Sequence, residues 1–183
     1  MEKIIINEAN GLEKFLKEKE PFLFENNDVE GIIQRNIILA GFPGTGKSYA
    51  GQELSDKVLD CESSFWHWCT EWLCDKSKPK IVNDYWPMNY VNFIWTVATE
   101  PRAKKYICTS THKEVLTSFK ERGFVFYIVA PLDKEESLER YRRRGSPQSF
   151  IDSLNENWDK YMQDLESYGV PVIYTNSYIS DLL

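Results

Sequence analysis

Gly41-Phe42-Pro43-Gly44-Thr45-Gly46-Lys47-Ser48 is the stretch on which the reading of the fold turns. It fits G-x-x-x-x-G-K-[ST] at every position. Asn36–Ala40 (NIILA) before it reads as a buried strand, and Lys47–Asp56 after it reads as a helix. The glycines let the backbone turn so that successive N–H groups face one point. A helix opening at Lys47 adds the positive end of its dipole there. A hollow of amides beside an ammonium group suits phosphate oxygens. An accidental match is expected in roughly one chain of this length in a few hundred. Gly41, Phe42, Pro43, Gly44, Thr45, Gly46, Lys47, Ser48 and the following Tyr49 are therefore the expected nucleotide-binding residues. Lys47 is expected at the β and γ phosphates of ATP, and Ser48 Oγ on Mg²⁺.

Outward from this loop, strand and helix signals alternate. Lys57–Asp60 and Lys104–Thr109 read as strands, Phe124–Val129 (FVFYIV) is the strongest strand signal, and Val170–Thr175 closes the series. Ser63–Cys74 reads as one aromatic helix, and Pro87 opens another. Thr111 with Glu114, and Asp133 with Glu136, have the spacing of N-terminal caps. Gly123 and the Gly145-Ser146-Pro147 run are stop signals. Phe150, Leu154, Trp158, Tyr161 and Leu165 repeat at helical spacing. This order predicts an α/β fold of three layers, with about five parallel strands and helices on both faces. Residues 1–35 read as an extension packed on a domain formed by residues 36–183.

The chain has 183 residues, suited to one domain. Lys and Arg number 22 and Asp and Glu 28, a net charge of −6. That balance disfavours bulk electrostatic binding of nucleic acid or an anionic membrane surface. No apolar run approaches the roughly 20 residues of a membrane span, and no secretion signal is visible. Cys61, Cys69, Cys74 and Cys108 are expected to be reduced thiols in a cytoplasmic protein.

Chemistry-bearing residues fall at the expected strand ends. Asp60, with Glu62 two residues on, follows the second strand, and such ends lie at the edge that carries the phosphate loop. Either carboxylate could accept a hydroxyl proton or hold a water on Mg²⁺; Asp60 could equally cap the next helix. Asp84 is a rival metal carboxylate. Arg140 and Arg144 share one helix face, where guanidinium forks could neutralise a phosphoryl group in transfer. Glu136 and Glu139 could instead pair with Arg140 and Arg143 on a solvated face. His112 follows the third strand, where it could touch phosphate or acceptor, or simply start a helix. His67, Cys69 and Cys74 hint at a metal site, though their spacing is wide. The two clear later strands end without an acid, which argues against a motor ATPase.

On these residues the sequence resembles the adenylate/shikimate-kinase-like group of P-loop kinases. The resemblance rests on the Gly41–Ser48 loop, Asp60 ending the second strand, the R-x-x-x-R pair Arg140 and Arg144, and the closing Val172-Ile173-Tyr174-Thr175 strand. It is also similar to short P-loop kinase-like proteins of bacteriophages and prophages. There the matching stretches are Asp60–Ser64, Pro87-Met88-Asn89-Tyr90, Ser110–Val115 and Asn157–Tyr161. The Asp-Arg pair typical of thymidylate kinases is absent, with Thr109-Ser110-Thr111-His112 in its place. The resemblance implies a P-loop NTPase fold and ATP–Mg²⁺-dependent transfer of the γ-phosphoryl group to a hydroxyl or phosphate of a small acceptor, a nucleoside or nucleotide. In that reading Lys47, Asp60, Arg140 and Arg144 are catalytic, and Ser48 and Asp60 hold Mg²⁺. Two other readings stand beside it. One is a kinase acting on a modified base in phage DNA. The other is an ATP-binding regulatory module with little turnover. Phe65, Trp66, Trp68, Trp72, Tyr85, Trp86, Tyr90, Phe93 and Trp95 are either an acceptor platform or packing.

Overall fold

The computed structural model describes residues 3–24, 33–100 and 105–183. Its centre is a six-stranded parallel sheet rather than five strands, in the order β1-β6-β5-β2-β4-β3. The strands are β1 (Ile4–Ile5), β2 (Ile37–Gly41), β3 (Val58–Asp60), β4 (Tyr106–Thr109), β5 (Phe126–Pro131) and β6 (Val172–Thr175). The additional strand comes from the N-terminal segment: Ile4 pairs with Ile173 and Ile5 with Tyr174. From sequence alone Ile4–Ile6 allows a short strand; pairing of Ile4 and Ile5 with β6 gives it its ladder. Of the expected strand Lys104–Thr109, Lys104 lies outside the described residues, as do residues 25–32 of the N-terminal segment.

The helices are α1 (Gly11–Lys19), α2 (Lys47–Glu53), α3 (Ser64–His67), α4 (Thr70–Cys74), α5 (Met88–Thr99), α6 (Lys113–Glu121), α7 (Lys134–Arg143), α8 (Gln148–Ser167) and α9 (Ile179–Leu182). Alternation along β2 sorts the two cores. Ile38 and Ala40 face a cluster with Val91 and Ile94 of α5, Leu116 of α6, and Leu154 and Trp158 of α8. Ile37 and Leu39 face the opposite cluster, with Leu12 and Leu16 of α1, Ala50 of α2 and Leu182 of α9. Burial on both faces explains why β2 reads as a continuous apolar run rather than an alternating one.

The topology places the site. From β2 the chain runs out to β3, returns to β4 beside β2, then crosses to β5 on the other side of β2. The crossovers therefore diverge at the carboxyl end of β2, where an open parallel sheet leaves a crevice. Gly41 ends β2 there.

Two local expectations are corrected. The single helix over Ser63–Cys74 is broken, because Trp68 and Cys69 are extended (ψ 152° and 150°). Trp68 bridges to Val82, Cys69 N–H donates to Ile81 O at 2.9 Å, and Asn83 N–H donates to His67 O at 2.8 Å. Those long-range bonds outweigh the local helical preference. The cap at Thr111 also fails: His112 is the N-cap residue, extended at φ −60° and ψ 133°, and makes no side-chain cap bond. The Asp133 cap forms, its carboxylate accepting from Glu136 N–H at 2.8 Å. Among the described residues no helix is long and apolar enough to cross a membrane.

Candidate active site

The loop after β2 is tied to its surroundings at each end. Phe42 N–H donates to Val129 O of β5 at 2.8 Å, and Ile179 N–H of α9 donates to Thr45 O at 3.0 Å. Thr45, itself buried, closes the turn through Oγ1 to Phe42 O at 2.8 Å. Tyr141 OH of α7 donates to Pro43 O. Gly46 has φ +85°, and a Cβ there would lie 2.8 Å from Tyr178 Cδ1. Both conformation and space demand glycine.

This loop forms one wall of a cavity of about 680 Å³. Of the sequence-predicted residues, Pro43, Gly44, Gly46, Lys47, Ser48, Tyr49, Glu62, His112, Arg140 and Arg144 line it. Gly41 and Phe42 lie behind the loop, on a second cavity of about 420 Å³. Thr45 lines neither, being turned into the protein. Lys47, Pro43, Ser110 and His112 line both, so the two cavities meet around the Lys47 ammonium. Lys47 Nζ donates to Gly41 O at 2.7 Å. Burial holds its pKa below the ordinary lysine value, opposed chiefly by Cys108, Asp60 and Glu62.

Asp60 sits one layer back, against α2. A Cβ on Gly51 would lie 2.9 Å from Asp60 Cβ, so the glycine at that position lets the β3 end approach the helix that carries Ser48. Burial raises the Asp60 pKa above the usual carboxylate value; hydrogen bonding from Ser48 and the charge of Lys47 oppose this. Asp60 Oδ1 is buried without a hydrogen-bond partner. A carboxylate oxygen left unpaired beside a serine hydroxyl and the Gly41–Ser48 loop fits a hydrated divalent cation. Glu62 Oε1 instead accepts from Ser64 N–H at 3.0 Å.

Arg140 and Arg144 form the far wall, and the expected ion pairs of α7 are present. Arg140 pairs with Glu136 at 2.6 Å, donates to Asn176 O, and lies 4.6 Å from the Tyr178 ring centroid. Arg142 and Arg143 pair with Glu139 at 3.2 and 3.4 Å. Arg144 lies over the Tyr141 ring at 5.2 Å.

Other candidates lie elsewhere. Asp84 is exposed and lines neither cavity. Among the described residues no three His, Cys, Asp or Glu side chains gather as a metal site, so His67, Cys69 and Cys74 are not brought together as one. Cys61 and Cys108 are buried, and burial pushes both thiols up to about 12. None of the aromatic residues from Phe65 to Trp95 lines either cavity. Trp66, Trp86, Phe93 and Trp95 pack on the core, whereas Phe65 and Tyr85 are 68 % and 77 % exposed. The rings that do line the cavities are Tyr49, Tyr141 and Tyr178 on one, and Phe42, Phe150, Tyr161 and Tyr168 on the other. Sequence reasoning missed Tyr178 and the role of the Tyr141 hydroxyl. Tyr178 had no local signal; Leu138 and Tyr141, three apart on the expected helix, read from sequence only as an inward-packing pair.

No protein-family model and no curated protein matches the chain. Among solved structures, it is similar to a gluconokinase from Sinorhizobium meliloti 1021 (17 % identity, 76 % of this chain and 80 % of that one, TM-score 0.45). It is also similar to an uncharacterized protein from Eubacterium ventriosum ATCC 27560 (16 % identity, 78 % and 89 % covered, TM-score 0.37).

Proposed function

We propose that this chain is an ATP–Mg²⁺-dependent phosphotransferase that moves a γ-phosphoryl group to a small acceptor of the nucleoside or nucleotide kind. One observation carries the reading: the Lys47 ammonium stands where two cavities meet, with the glycine loop on one side and Arg140 and Arg144 on the other. The loop amides hold the triphosphate. Lys47 exchanges the Gly41 carbonyl for phosphate oxygens, regaining in charge pairing what burial costs it. Ser48 and Asp60 hold the hydrated Mg²⁺, which supplies charge neutralisation of the β and γ phosphates when bound. Arg144 and Arg140 neutralise the moving phosphoryl group. In such a transfer, catalysis is positioning and electrostatics, so preorganised donors outweigh any covalent chemistry by the protein.

The test is a mass-spectrometric screen of Mg·ATP consumption over nucleosides, nucleotides and small polyols. The expected result is one acceptor gaining a phosphoryl group in equimolar amount with ADP, and loss of that activity in Lys47→Ala. Full activity in that variant would refute the assignment. The exposed Phe65 and Tyr85 favour a second reading, an ATP-binding module whose aromatic segment meets a partner. ATP binding without transfer to any acceptor would select it.

A further inference from the structure

The element that separates the two cavities is the turn Ser110-Thr111-His112 between β4 and α6. His112 Nδ1 lies 2.9 Å from Ser110 Oγ. Its ring is braced by Trp86, edge-on at 5.2 Å, and by His67 at 5.1 Å. Nε2 makes no hydrogen bond among the described residues. Nor is it among their buried unpartnered polar atoms, which are Asp60 Oδ1, Tyr106 OH and Thr109 Oγ1. It is therefore open to solvent from a residue that lines both cavities. In the tautomer whose Nδ1–H donates to Ser110 Oγ, Nε2 carries the lone pair.

Of the carboxylates nearby, Glu62 accepts a backbone N–H at Oε1, half-buried Asp60 has its Oδ1 enclosed, and Asp164 is exposed on α8. Beside Lys47 and His112, the second cavity carries Lys113 and Asp164 but no arginine, between walls formed by Phe150, Tyr161 and Tyr168. A phosphate acceptor would ask for guanidinium forks there. It would also need no base, because its attacking oxygen has already lost its proton near neutral pH. A hydroxyl acceptor does need one.

Resting on the proposed phosphotransferase reading, we infer that His112 is the general base of the reaction, and that the acceptor is an uncharged, ring-bearing hydroxyl compound entering from the second cavity. The hydroxyl oxygen forms a bond to Pγ while the bond from Pγ to the bridging oxygen breaks, and ADP leaves with that electron pair. The hydroxyl proton passes to His112 Nε2, and the imidazolium then returns it to water. Burial sets the His112 pKa below the ordinary histidine value, and His67 on α3 and Lys47 on α2 act in the same direction. Glu114 on α6 and Glu62 after β3 oppose them. The net direction is downward, which favours the unprotonated imidazole.

The experiment pairs each nucleoside with its 5′-monophosphate, and free glucose with glucose 6-phosphate, as acceptors for Mg·ATP. Hydrolysis, in which water is the hydroxyl acceptor, is measured in parallel. The wild type should phosphorylate unphosphorylated members only, with kcat/KM falling below an apparent pKa under 6.5. His112→Gln should lower kcat about 10²–10⁴-fold, remove the acidic limb, and leave the Kd for ATP within twofold by calorimetry. His67→Gln should keep kcat at pH 8 and move the limb upward, which a purely structural role for His112 would not produce. Preference for the monophosphates, or an unchanged acidic limb in folded His112→Gln, overturns the inference while ATP binding lost in Lys47→Ala preserves the parent reading. If the wild type turns over ATP with no acceptor and not with water, both fail.

Discussion

The loop Gly41–Ser48 and the excursion 61–87 both border the same crevice, yet they are built in opposite ways. The loop is fixed by backbone: Phe42 N–H to β5, Thr45 O to α9, Pro43 O to Tyr141. The excursion is two helices of 4 and 5 residues, held by two backbone hydrogen bonds to residues 81–83 and by ring contacts. Its outermost rings, Phe65 and Tyr85, touch solvent. Backbone amides recognise any polyphosphate in the same way, so the loop needs one geometry. Of the excursion, Cys61, Glu62 and Ser63 line the first cavity, and its aromatic rings line neither.

Substitutions can widen or collapse this contrast. The largest effect is expected from Lys47→Ala: at least a 10³-fold loss of kcat/KM for ATP, with a melting temperature unchanged or raised because a buried ammonium is removed. Coupled-enzyme kinetics and calorimetric melting check both halves. Gly46→Ala comes next. It forces a left-handed residue to carry a Cβ against Tyr178, and should cost about 1–2 kcal/mol of stability together with ATP affinity. Denaturant titration and ATP binding read this out.

Asp60→Asn separates function from folding. Burial raises the folded pKa of Asp60, so the protonated acid favours the fold. That contribution is present below the unfolded carboxylate value and is lost as pH rises through the folded one. At pH 7 the variant should therefore melt about 2–4 °C higher than the wild type. The gain should vanish near pH 4, and turnover should fall about 10²-fold. Equal melting at both pH values would contradict the burial argument. The smallest effects belong to the excursion's surface: Phe65→Ser and Tyr85→Ser should each change stability by less than about 0.5 kcal/mol. Neither should change the Kd for ATP. A tenfold loss of ATP affinity in either would merge the two regions that the structure separates.

The same contrast explains what the sequence revealed. The loop, its strand, Asp60 at a strand end and the Arg140/Arg144 face were legible because each depends on spacing within a few residues. The sixth strand was only hinted at: Ile4–Ile6 allowed a short strand, but it joins the sheet only by pairing with Ile173 and Tyr174, far away in sequence. The break at Trp68 was hidden for the same reason, since its partner is Val82. Helical periodicity placed Tyr141 inside correctly, but it could not show that the phenol would reach Pro43 O. The second cavity lies between a loop, a turn and a long helix, and no local pattern encodes such a juxtaposition.

The central claim is that the amides after Gly41 and the Lys47 ammonium together hold a triphosphate. Isothermal calorimetry of ATP with and without Mg²⁺, on the wild type and on Lys47→Ala, tests it most directly. One site per chain, tightened by Mg²⁺ and weakened at least tenfold by the substitution, is the predicted result. The same affinity in both proteins, or no heat of binding in the wild type, would contradict it.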